Sequence, residues 1–510
     1  ALGIAILSDN APLLAYVLND PYSGVHAFFR DTLYADGLPD MAAQYMEPVM
    51  LAWMPLFNTL QTVGIDLVSR YPGLRRFGLS IQQWLDPDGL SPDLGDSCAV
   101  ATLRRLDWFE LCHAWTGDPR MIAPVRNHLY RQWADSRHRV KWEDLGRSRE
   151  ALFSGVENIP RGRVERPRES LVFPDYGLLI FDQGEGDRRL WAAMPVGKPM
   201  GHGHNDNLHL EWWALGQKQT IKHGSRGRHH AVHANTLLVD QRDQSKLPVS
   251  IRGFIGQGPV QGAVVTSTDL YPGTTLTRTI LLYDGLVFLL DQFDGDREHD
   301  YDMVYLNAGT AHCDLPFKPL GRPLSDETNV EGRRVGYASL IDPVQADAPK
   351  QLSILWDNLG VATNAAVRQT QIALDDPGVM LRVRAPLVKQ HRQWERMTGD
   401  LTAAGYTLLP ESLQLLASAT YAEWLAPKFI RRFRAKQAGV LTILEPFRGP
   451  TPRLSGIARL PLTLDGQPVA RQGIAIRYAD ENNVTHQVIL CPAPGEKQAG
   501  GWTVSGDFTA

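Results

Sequence analysis

Hydrophobic positions in the first 150 residues recur at intervals of three and four, the spacing that turns one face of a helix toward a core. Glycine and proline break this pattern at residues 36–37, 71–73, 86–89 and 117–119, where they form turns. The chain is therefore predicted to begin with antiparallel helical hairpins joined by short connections. The clearest periodic runs are Tyr45, Met46, Val49, Met50, Trp53, Met54, Phe57 and Leu60, and then Ala101, Leu103, Leu106, Phe109, Leu111 and Trp115.

The pattern changes after an arginine-rich stretch at residues 158–169, which we interpret as a linker. Short segments rich in β-branched and aromatic residues follow, and they continue to about residue 390. Asp284-Gly285 between two of these segments is a hairpin signal. Because runs of strands follow runs of helices, the sequence predicts an α+β chain with separate helical and antiparallel β domains. The segments typical of strands are 171–181, 235–240, 275–283 and 285–291.

These changes of pattern predict three parts. Residues 1–157 form the helical part, and residues 170–395 form an antiparallel β-sheet domain of sandwich-like character. Residues 396–510 form a further β-sheet layer or a small C-terminal β domain. The length of 510 residues agrees with more than one domain, since a single hydrophobic core rarely serves so long a chain.

Composition and charge exclude some classes of protein. The chain is 43% hydrophobic and 21% charged, as in ordinary globular proteins. Its net charge of −4 argues against nucleic-acid binding by bulk electrostatics, although a local basic groove would still bind an acidic polymer. The sequence contains no run of 18 uncharged apolar residues, so no membrane span is predicted. The four cysteines form no CxxC motif and predict neither a zinc ribbon nor a disulfide framework.

Histidines are concentrated in one short segment. Seven of the 15 histidines lie between residues 202 and 233, which is too many for packing alone to explain. On an extended backbone His202 and His204 would point to the same face, so that both could serve one site. The seven are His202, His204, His209, His223, His229, His230 and His233.

The segment GHGHNDNLHLEWWALG at residues 201–216, followed by HANTLLVD at 233–240, resembles the signature of the heparinase II/III-like polysaccharide lyases. Weaker similarities occur in the same order as in that family. They are Asp36-Gly37 before Tyr45, the element DPDGLSPDLGD at 86–96, and the hairpin strands at 276–282 and 288–293. The resemblance covers roughly residues 30–310.

The resemblance implies an incomplete (α/α) toroid followed by antiparallel β-sheet layers, with the active site in the cleft between them. It also implies β-elimination on a uronic-acid-containing polysaccharide, alginate or a glycosaminoglycan. Carried over from the family motifs, Tyr45 is the acid and, where the geometry permits, also the base. His202 is then a second base or the group that neutralises the substrate carboxylate.

An acidic polysaccharide or oligosaccharide is thus the expected partner, and we expect a periplasmic or secreted location. Arg226 and Arg228 are candidates for binding its carboxylate or sulfate groups, because guanidinium groups form paired hydrogen bonds with such anions. Asn205 and Asp206 of the motif are further candidates for substrate binding. Arg431, Arg432 and Arg434 are a second run of cations, either a sulfate preference or a solvated face.

Several relatives hold one structural metal ion, usually zinc, and we considered the same for this chain. His204 matches the first ligand of the family. At the second position Lys222 stands where the family has aspartate, with His223 beside it, and at the third Ala234 replaces the histidine, with His233 one place earlier. Either His204, His223 and His233 bind zinc or manganese, or the Lys222 ammonium group replaces the ion. No organic cofactor is expected.

A further departure concerns the group that neutralises the substrate carboxylate. Relatives carry an Asn-His element some 50 residues before the catalytic tyrosine, and counting back from Tyr45 runs off the chain. Asn127-His128 lies in the wrong place, and His26 has no asparagine before it. Either an N-terminal part of the toroid is missing, or another group takes this role. Two alternatives to a lyase therefore stay open, a uronate C5-epimerase of the same fold and a non-catalytic polysaccharide-binding protein.

Overall fold

The structure is a computed structural model, in which the chain forms two compact units. The helical unit comprises residues 1–168, 173–176 and 200–203, and the sheet unit comprises residues 169–172, 177–199 and 204–510. For residues 106–107, 358, 386–390, 407–408 and 421–425 only the backbone is described. The described residues are 2–41, 45, 53, 55–57, 59–96, 106–127, 168–198, 201, 203–220, 230–330, 332, 334–358, 364–390, 407–408, 421–469 and 471–505.

Short amphipathic helices form the helical unit, as the periodic pattern predicts. Two of them begin at side-chain caps, where Asn10 accepts a hydrogen bond from the backbone of Leu13 and Asp66 accepts one from Ser69. Residues 45, 53, 55–57 and 59–62 are also helical. The named helices are α1 (Leu2–Leu7), α2 (Ala11–Asn19), α3 (Val25–Thr32), α4 (Leu67–Arg70), α5 (Pro72–Trp84) and α6 (Leu106–Thr116).

Aromatic rings fill the core of the helical unit. Trp53 lies 5.0 Å from Phe29 and 5.6 Å from Phe77 between ring centroids, and Phe77 lies 4.9 Å from Trp108. All four side chains are buried. Such tilted and edge-on pairs are favourable arrangements of aromatic rings. Packing on this cluster joins helices that the periodic pattern had identified one by one.

Within its described residues the sheet unit is built from antiparallel strands in four sheets. Strands β1 to β5 form one sheet and β6 to β18 form a sheet of 13 strands. A sheet of three strands contains β19, β22 and β23, and one of four strands contains β20, β21, β24 and β25. The strands are β1 (Leu171–Phe173), β2 (Leu178–Gln183), β3 (Leu190–Pro195), β4 (Glu211–Ala214), β5 (Gln217–Lys218), β6 (Leu237–Val239), β7 (Ser250–Ile255), β8 (Val260–Tyr271), β9 (Thr274–Tyr283), β10 (Leu286–Tyr305), β11 (Thr310–His312), β12 (Lys318–Pro319), β13 (Ile341–Asp347), β14 (Gln351–Asn358), β15 (Ala365–Ala373), β16 (Val379–Gln390), β17 (Thr407–Leu408), β18 (Tyr421–Arg448), β19 (Ser455–Leu460), β20 (Thr463–Leu464), β21 (Gln467–Pro468), β22 (Ile474–Ala479), β23 (Thr485–Leu490), β24 (Glu496–Ala499) and β25 (Trp502–Ser505).

Two long strands organise the sheet of 13. β10 and β18 pair along most of their length, with one irregularity between Asp294 and His299. On its other edge β18 pairs first with β16 and then with β15, while β10 pairs first with β9 and then with β6. The short strand β6 directly follows Asn235 and Thr236, so its pairing with β10 fixes the end of the histidine-rich segment on this sheet.

The apolar run that begins β10 is buried on both faces. Leu286, Phe288 and Leu290 pack in one hydrophobic cluster with residues of the sheet of three strands, whereas Val287 and Leu289 pack in another with residues of β2 and β3. A strand with both faces covered needs apolar residues at every position rather than at alternate ones. This explains why the segment reads as a continuous hydrophobic run.

The prediction of helices followed by antiparallel sheet is confirmed. The arrangement of the helices as an incomplete toroid stays a prediction, as do the boundaries at 157, 170 and 395. No helix in the described part of the chain has both the length and the apolar character that crossing a membrane requires.

Phe288 offers a test of the two-faced packing of β10. It is fully buried and stacks on Tyr478 at 6.2 Å, which joins the large sheet to the sheet of three strands. Phe288→Ala should lower the free energy of unfolding by about 3–5 kcal/mol, because it leaves a cavity between two layers. Urea denaturation measures this loss, and Val484→Ala, on an exposed hairpin, should change it by less than about 0.5 kcal/mol. Equal losses in the two variants would contradict the assignment.

Candidate functional site

The loop that carries the end of the His-x-His motif is buried, and side chains from later in the chain hold it by hydrogen bonds. His204, Asp206 and Asn207 are all buried. The backbone carbonyl of Asn207 accepts hydrogen bonds from Thr236 Oγ1 at 2.6 Å and from Gln244 Nε2 at 3.0 Å. The next residue, Leu208, has a φ of +66°, a left-handed conformation that is costly for a branched side chain. Such a backbone persists only where its surroundings enforce it.

Asn235 supplies part of that enforcement. Its backbone N–H donates to Nδ1 of His209 at 2.9 Å, and its carbonyl accepts from the backbone of Leu210 at 3.0 Å. Its side-chain amide bonds both backbone groups of Leu306, donating to the carbonyl at 2.8 Å and accepting from the N–H at 2.7 Å. The Asn-Thr pair of the motif therefore has a structural role, tying the histidine loop to β10.

Arg278 on β9 holds the same loop from the sheet. Its guanidinium donates to the backbone carbonyls of Leu208 and Asn235, the latter at 3.2 Å. The remaining donors form two bonds with Asp291, at 2.6 and 2.9 Å. Both side chains of this ion pair are almost fully buried. A buried pair is stable only when its remaining donors are satisfied, and the two carbonyls of the loop satisfy those of Arg278.

Asp243 joins the motif loop to the turn at residues 230–233. Its carboxylate accepts hydrogen bonds from Nδ2 of Asn205 at 3.4 Å and from the backbone N–H of Ala231 at 2.6 Å, and it lies 2.7 Å from Nδ1 of His230. The hydrogen bond to Asp243 raises the pKa of His230 above that of an ordinary imidazole, against the opposing effect of burial. Nearby Glu327 raises this pKa further. The side chains of His230 and Asp243 are about one quarter exposed, 26% and 28%.

His233 lies deeper in the same turn. Its side chain is buried, and Nε2 lies 3.3 Å from the hydroxyl of Ser339. Beneath the turn Nζ of Lys428 donates to the carbonyl of Val232 at 2.7 Å. Burial places the pKa of Lys428 well below the ordinary lysine value. The turn is thus fixed on a buried donor from β18.

In the helical unit, a short backbone pairing joins the start of the His-x-His motif to the segment before Tyr45. Met41 and Gly201 form a parallel β-bridge. A side chain at position 201 would place its Cβ only 3.1 Å from the carbonyl oxygen of Asp40, so glycine permits this approach. The hydroxyl of Tyr176 donates to the carbonyl of Met41 at 3.2 Å, which supports the same segment.

The segment before Met41 is fixed by a buried carboxylate. Asp36 accepts hydrogen bonds from the backbone N–H groups of Tyr176 at 2.8 Å and Asp175 at 3.1 Å. Burial nevertheless raises the pKa of Asp36 above its usual range. Ser80 on α5 donates to the carbonyl of Asp36 at 2.6 Å. The Asp36-Gly37 turn that marked the approach to Tyr45 in the sequence is therefore a constrained element.

The structure describes only part of the predicted site. Tyr45 is helical and half-buried. Of the other candidates, the motif residues Asn205 and Asp206 lie in the loop described above, and His204 and His233 are both buried. The predicted base, the two arginines and the third metal ligand lie outside the described residues; they are His202, Arg226, Arg228 and His223.

The donor set for a metal ion is likewise described in part. His204 and His233 are buried imidazoles in neighbouring parts of one motif, and imidazole is a ligand of zinc and manganese. Among the described residues, the three ligating atoms that lie close together belong to Asp284, Asp480 and His486, far along the chain from this motif. Arg188 and Arg453 form ion pairs with Asp284, so this cluster belongs to a network of ion pairs.

The arginines of β18 do not form a solvated basic face. Arg431 is buried and donates to the carbonyls of Pro349 and Pro377. Arg432 forms two bonds of 2.6 Å with the carboxylate of Asp302. Arg434 alone of the three is exposed. Sequence alone left their role open, and the structure assigns the first two to internal contacts.

Comparison with known proteins gives a match in structure but not in sequence. No family model matches the chain, and no curated protein matches it. Solved structures of heparinase III and of heparan sulfate lyase HepC from Pedobacter heparinus superpose with TM-scores of 0.57 and 0.57 at 11% and 11% identity. The matches cover 92% and 91% of this chain, but only 61% and 61% of those chains.

The fold is similar to that of heparinase III. The resemblance to the heparinase II/III-like lyases that the motifs indicated is thereby confirmed at the level of the fold. The chain spans about three fifths of the length of the two solved proteins. An identity of 11% carries no residue roles across, so Tyr45, His202 and the other candidates stay predictions.

Sequence reasoning missed two residues that shape the described part of the candidate site. Asp243 lies three residues after the Val-Asp that ends the motif, and Arg278 lies in a strand that the motif comparison had used only to recognise the sheet. A carboxylate soon after a histidine-rich segment was the available signal for Asp243. Nothing in the sequence shows that Arg278 reaches the carbonyl of Leu208, which is 70 residues away.

Removing the carboxylate at position 243 should lower the pKa of His230. In the Asp243→Asn variant the imidazolium loses its anionic partner, so an NMR titration of the histidine ring should give a lower pKa than in the wild type. The stability that His230 gains from this partner is present below the unfolded pKa of about 6.5 and is lost as pH rises through the raised value. The difference in melting temperature between wild type and variant should therefore narrow with increasing pH. Asp243→Glu should restore part of the shift, and an unchanged pKa in Asp243→Asn would contradict the assignment.

Proposed function

We propose that this chain is a polysaccharide lyase that cleaves a uronic-acid-containing polysaccharide, alginate or a glycosaminoglycan, by β-elimination. The similarity in fold to heparinase III and to a heparan sulfate lyase over nine tenths of the chain supports the proposal. So does the loop that ends the His-x-His motif, which a buried ion pair and two structural residues of the same signature hold in place.

The observation that carries the assignment of the reacting groups is the bridge between Met41 and Gly201. Gly201 directly precedes His202, and Met41 precedes Tyr45 by four residues. Four steps of 3.8 Å keep the Cα atom of Tyr45 within about 15 Å of that of Met41. Two residues that are 157 positions apart in the sequence are therefore tied to one backbone pairing, as a shared role requires.

The chemistry assigns a task to each group. The C5 proton of a uronate is weakly acidic because it lies next to a carboxylate, and neutralising that carboxylate stabilises the charge that develops when the proton leaves. A base accepts this proton while an acid protonates the departing O4. In the proposed mechanism Tyr45 is the acid, and also the base where the geometry permits. His202 is a second base or neutralises the carboxylate.

Further residues are proposed to bind the substrate. Arg226 and Arg228 would pair with carboxylate or sulfate groups, and Asn205 and Asp206 would bind sugar hydroxyls. Asn205 is already oriented by its hydrogen bond to Asp243. A periplasmic or secreted location is part of the same proposal, since that is where acidic polysaccharides of this kind are met.

We also propose one structural zinc or manganese ion on His204, His223 and His233. The burial of His204 and His233 supports this, because ligands of a structural ion lie out of solvent. The ion would fix the motif loop, and no step of the reaction is assigned to it. In the alternative, the ammonium group of Lys222 takes its place.

Activity should depend on Tyr45 and His202. Purified protein is mixed with alginate, hyaluronan, chondroitin, heparan and glucuronan, and the unsaturated product is followed by its ultraviolet absorbance. Tyr45→Phe and His202→Ala should each lower kcat by about 10²–10⁴-fold, the usual contribution of a general acid or base. A uronate C5-epimerase would form no absorbing product, and a binding protein would retain the polymer without turnover.

Two variants control for effects unrelated to the site. Tyr22→Phe and His312→Ala alter an exposed tyrosine and an exposed histidine, and both should leave kcat unchanged. If Tyr45→Phe forms the unsaturated product at the wild-type rate, the phenol is ruled out as the acid. Absence of product from the wild type on all five polymers would refute the proposed activity.

The metal proposal has a readout that is independent of turnover. Elemental analysis of the purified chain should give about one zinc or manganese ion per molecule, because three imidazoles suffice for such a site. His204→Ala and His233→Ala should each lose it, and a chelator should lower the melting temperature of the wild type but not of these variants. Metal content that is the same in the wild type and both variants would favour the Lys222 alternative.

A further inference from the structure

Three side chains that can bind a metal ion meet where the sheet of three strands packs on the large sheet. Asp480 directly follows β22, His486 lies on β23, and Asp284 lies in the turn between β9 and β10. One ligating atom of each residue lies within 4.8 Å of those of the other two. Oδ2 of Asp480 and Nε2 of His486 are 3.2 Å apart. Two ligands bound at about 2.0–2.1 Å to one tetrahedral zinc ion are about 3.3 Å apart, so the spacing of this pair fits a shared ion.

The two ligands of the hairpin are held in place through their other atoms. Oδ1 of Asp480 accepts hydrogen bonds from the backbone N–H groups of Asn482 at 2.9 Å and Val484 at 2.8 Å, which leaves Oδ2 facing His486. Nδ1 of His486 lies 3.2 Å from the hydroxyl of Tyr283. Carboxylates and imidazoles that bind metals are oriented in this way, by hydrogen bonds on the side away from the ion. The arrangement therefore supplies both the ligands and the contacts that orient them.

A buried hydroxyl lies beside these ligands. Tyr478 is 1% exposed, and within the described part of the chain its Oη has no hydrogen-bond partner. Tyr478 is the cross-strand neighbour of His486, and the two rings stack with centroids 5.1 Å apart. Burial raises the pKa of the phenol, and the negative charges of Asp284 and Asp480 raise it further, so the hydroxyl lies near both carboxylates. A buried hydroxyl is costly without a partner, and a water bound to an ion at this position would accept its hydrogen bond.

The surrounding charges also favour a cation. Arg188 and Arg453 each pair with both Asp284 and Glu481. Together with Asp480 the group contains three carboxylates and two guanidinium groups, so one negative charge is in excess when the imidazole is neutral. Each carboxylate oxygen has two lone pairs, and Asp284 can therefore bind an arginine and an ion together. Because the ion shares Asp284 with two arginines, its binding depends on the zinc that is supplied.

We propose that Asp284, Asp480 and His486 bind one zinc ion, with a water as fourth ligand that accepts a hydrogen bond from the hydroxyl of Tyr478. One imidazole and two carboxylates are donors that zinc accepts, and the water completes its tetrahedral geometry. The ion joins the turn between β9 and β10 to the hairpin of β22 and β23, and thus links two sheets. It is separate from the ion proposed for the His-x-His motif, and no step of the lyase reaction is assigned to it.

The test counts the zinc that the full chain binds. Wild type and variants are brought to equilibrium with zinc chloride by dialysis and analysed for metal, and calorimetric titration gives the Kd. Asp480→Asn should bind one ion fewer per chain than the wild type, because asparagine keeps an oxygen for the backbone N–H groups but loses the charged ligand. His486→Ala should also bind one ion fewer. Tyr478→Phe should raise the Kd by about 10–100-fold, the usual effect of removing a hydrogen bond around a bound metal.

The pair of His312 and Asp357 provides a matched control. Its Nε2 and Oδ2 lie 3.1 Å apart at an exposed site, and among the described residues no third ligating atom joins them. His312→Ala and Asp357→Asn should therefore bind as much zinc as the wild type. His204→Ala removes a ligand of the ion proposed for the motif, and the loss of one ion caused by Asp480→Asn should persist in its presence.

Melting temperatures separate loss of the site from loss of the fold. Zinc should raise the melting temperature of the wild type but not that of Asp480→Asn, because an ion stabilises only the folded chain that binds it. If a variant fails to fold, Tyr283→Phe takes its place, since it removes only the hydroxyl next to His486 and should raise the Kd by about 10–100-fold. Equal zinc binding in the wild type and in folded Asp480→Asn and His486→Ala would overturn the proposal, and the proposed lyase activity would be unaffected.

Discussion

The buried ion pair between Arg278 and Asp291 is the interaction on which the described part of the site depends. Asp291 on β10 satisfies one side of the guanidinium, and the carbonyls of Leu208 and Asn235 satisfy the other. Removing a charge from water costs several kcal/mol unless every donor finds an acceptor. The two loop carbonyls offset part of the cost of burying the pair, and the pair in turn holds the backbone at Leu208, whose φ is +66°. Sheet and loop specify each other.

Ionisable side chains lie at different depths around the motif. Arg278 is neutralised within the sheet, Lys428 lies below the turn at residues 230–233, and Asp243 lies nearer the surface. Arg278 and Lys428 are buried and donate to backbone carbonyls, Arg278 to two and Lys428 to one. The shallow group binds side chains that are still partly accessible. The buried groups thus hold the backbone of the site, whereas Asp243, nearer the surface, contacts side chains that a ligand could reach.

Much of the architecture was predictable because its signals are local. Helical periodicity before residue 120, the Asp284-Gly285 hairpin and the unbroken apolar run at the start of β10 each follow from a few consecutive residues. The density of histidines predicted a site in the same way. The contacts of Arg278 and Asp243 join segments that are far apart in the chain, and no local pattern encodes them. Arg431 illustrates the converse error, since a run of arginines predicts a surface as readily as a buried network.

Asn235 has a consequence for which residues the motif can accept. Its side-chain amide bonds the N–H and the carbonyl of Leu306 as a neighbouring strand would, so the backbone of the residue that directly follows β10 stays hydrogen-bonded. Aspartate at this position would offer no donor to the carbonyl, and glutamine would carry its amide one methylene too far. The side chain of Asn235 thus makes the pair of hydrogen bonds that a residue of a neighbouring strand would make. Sheet geometry therefore requires asparagine here, although its neighbours are candidate functional residues.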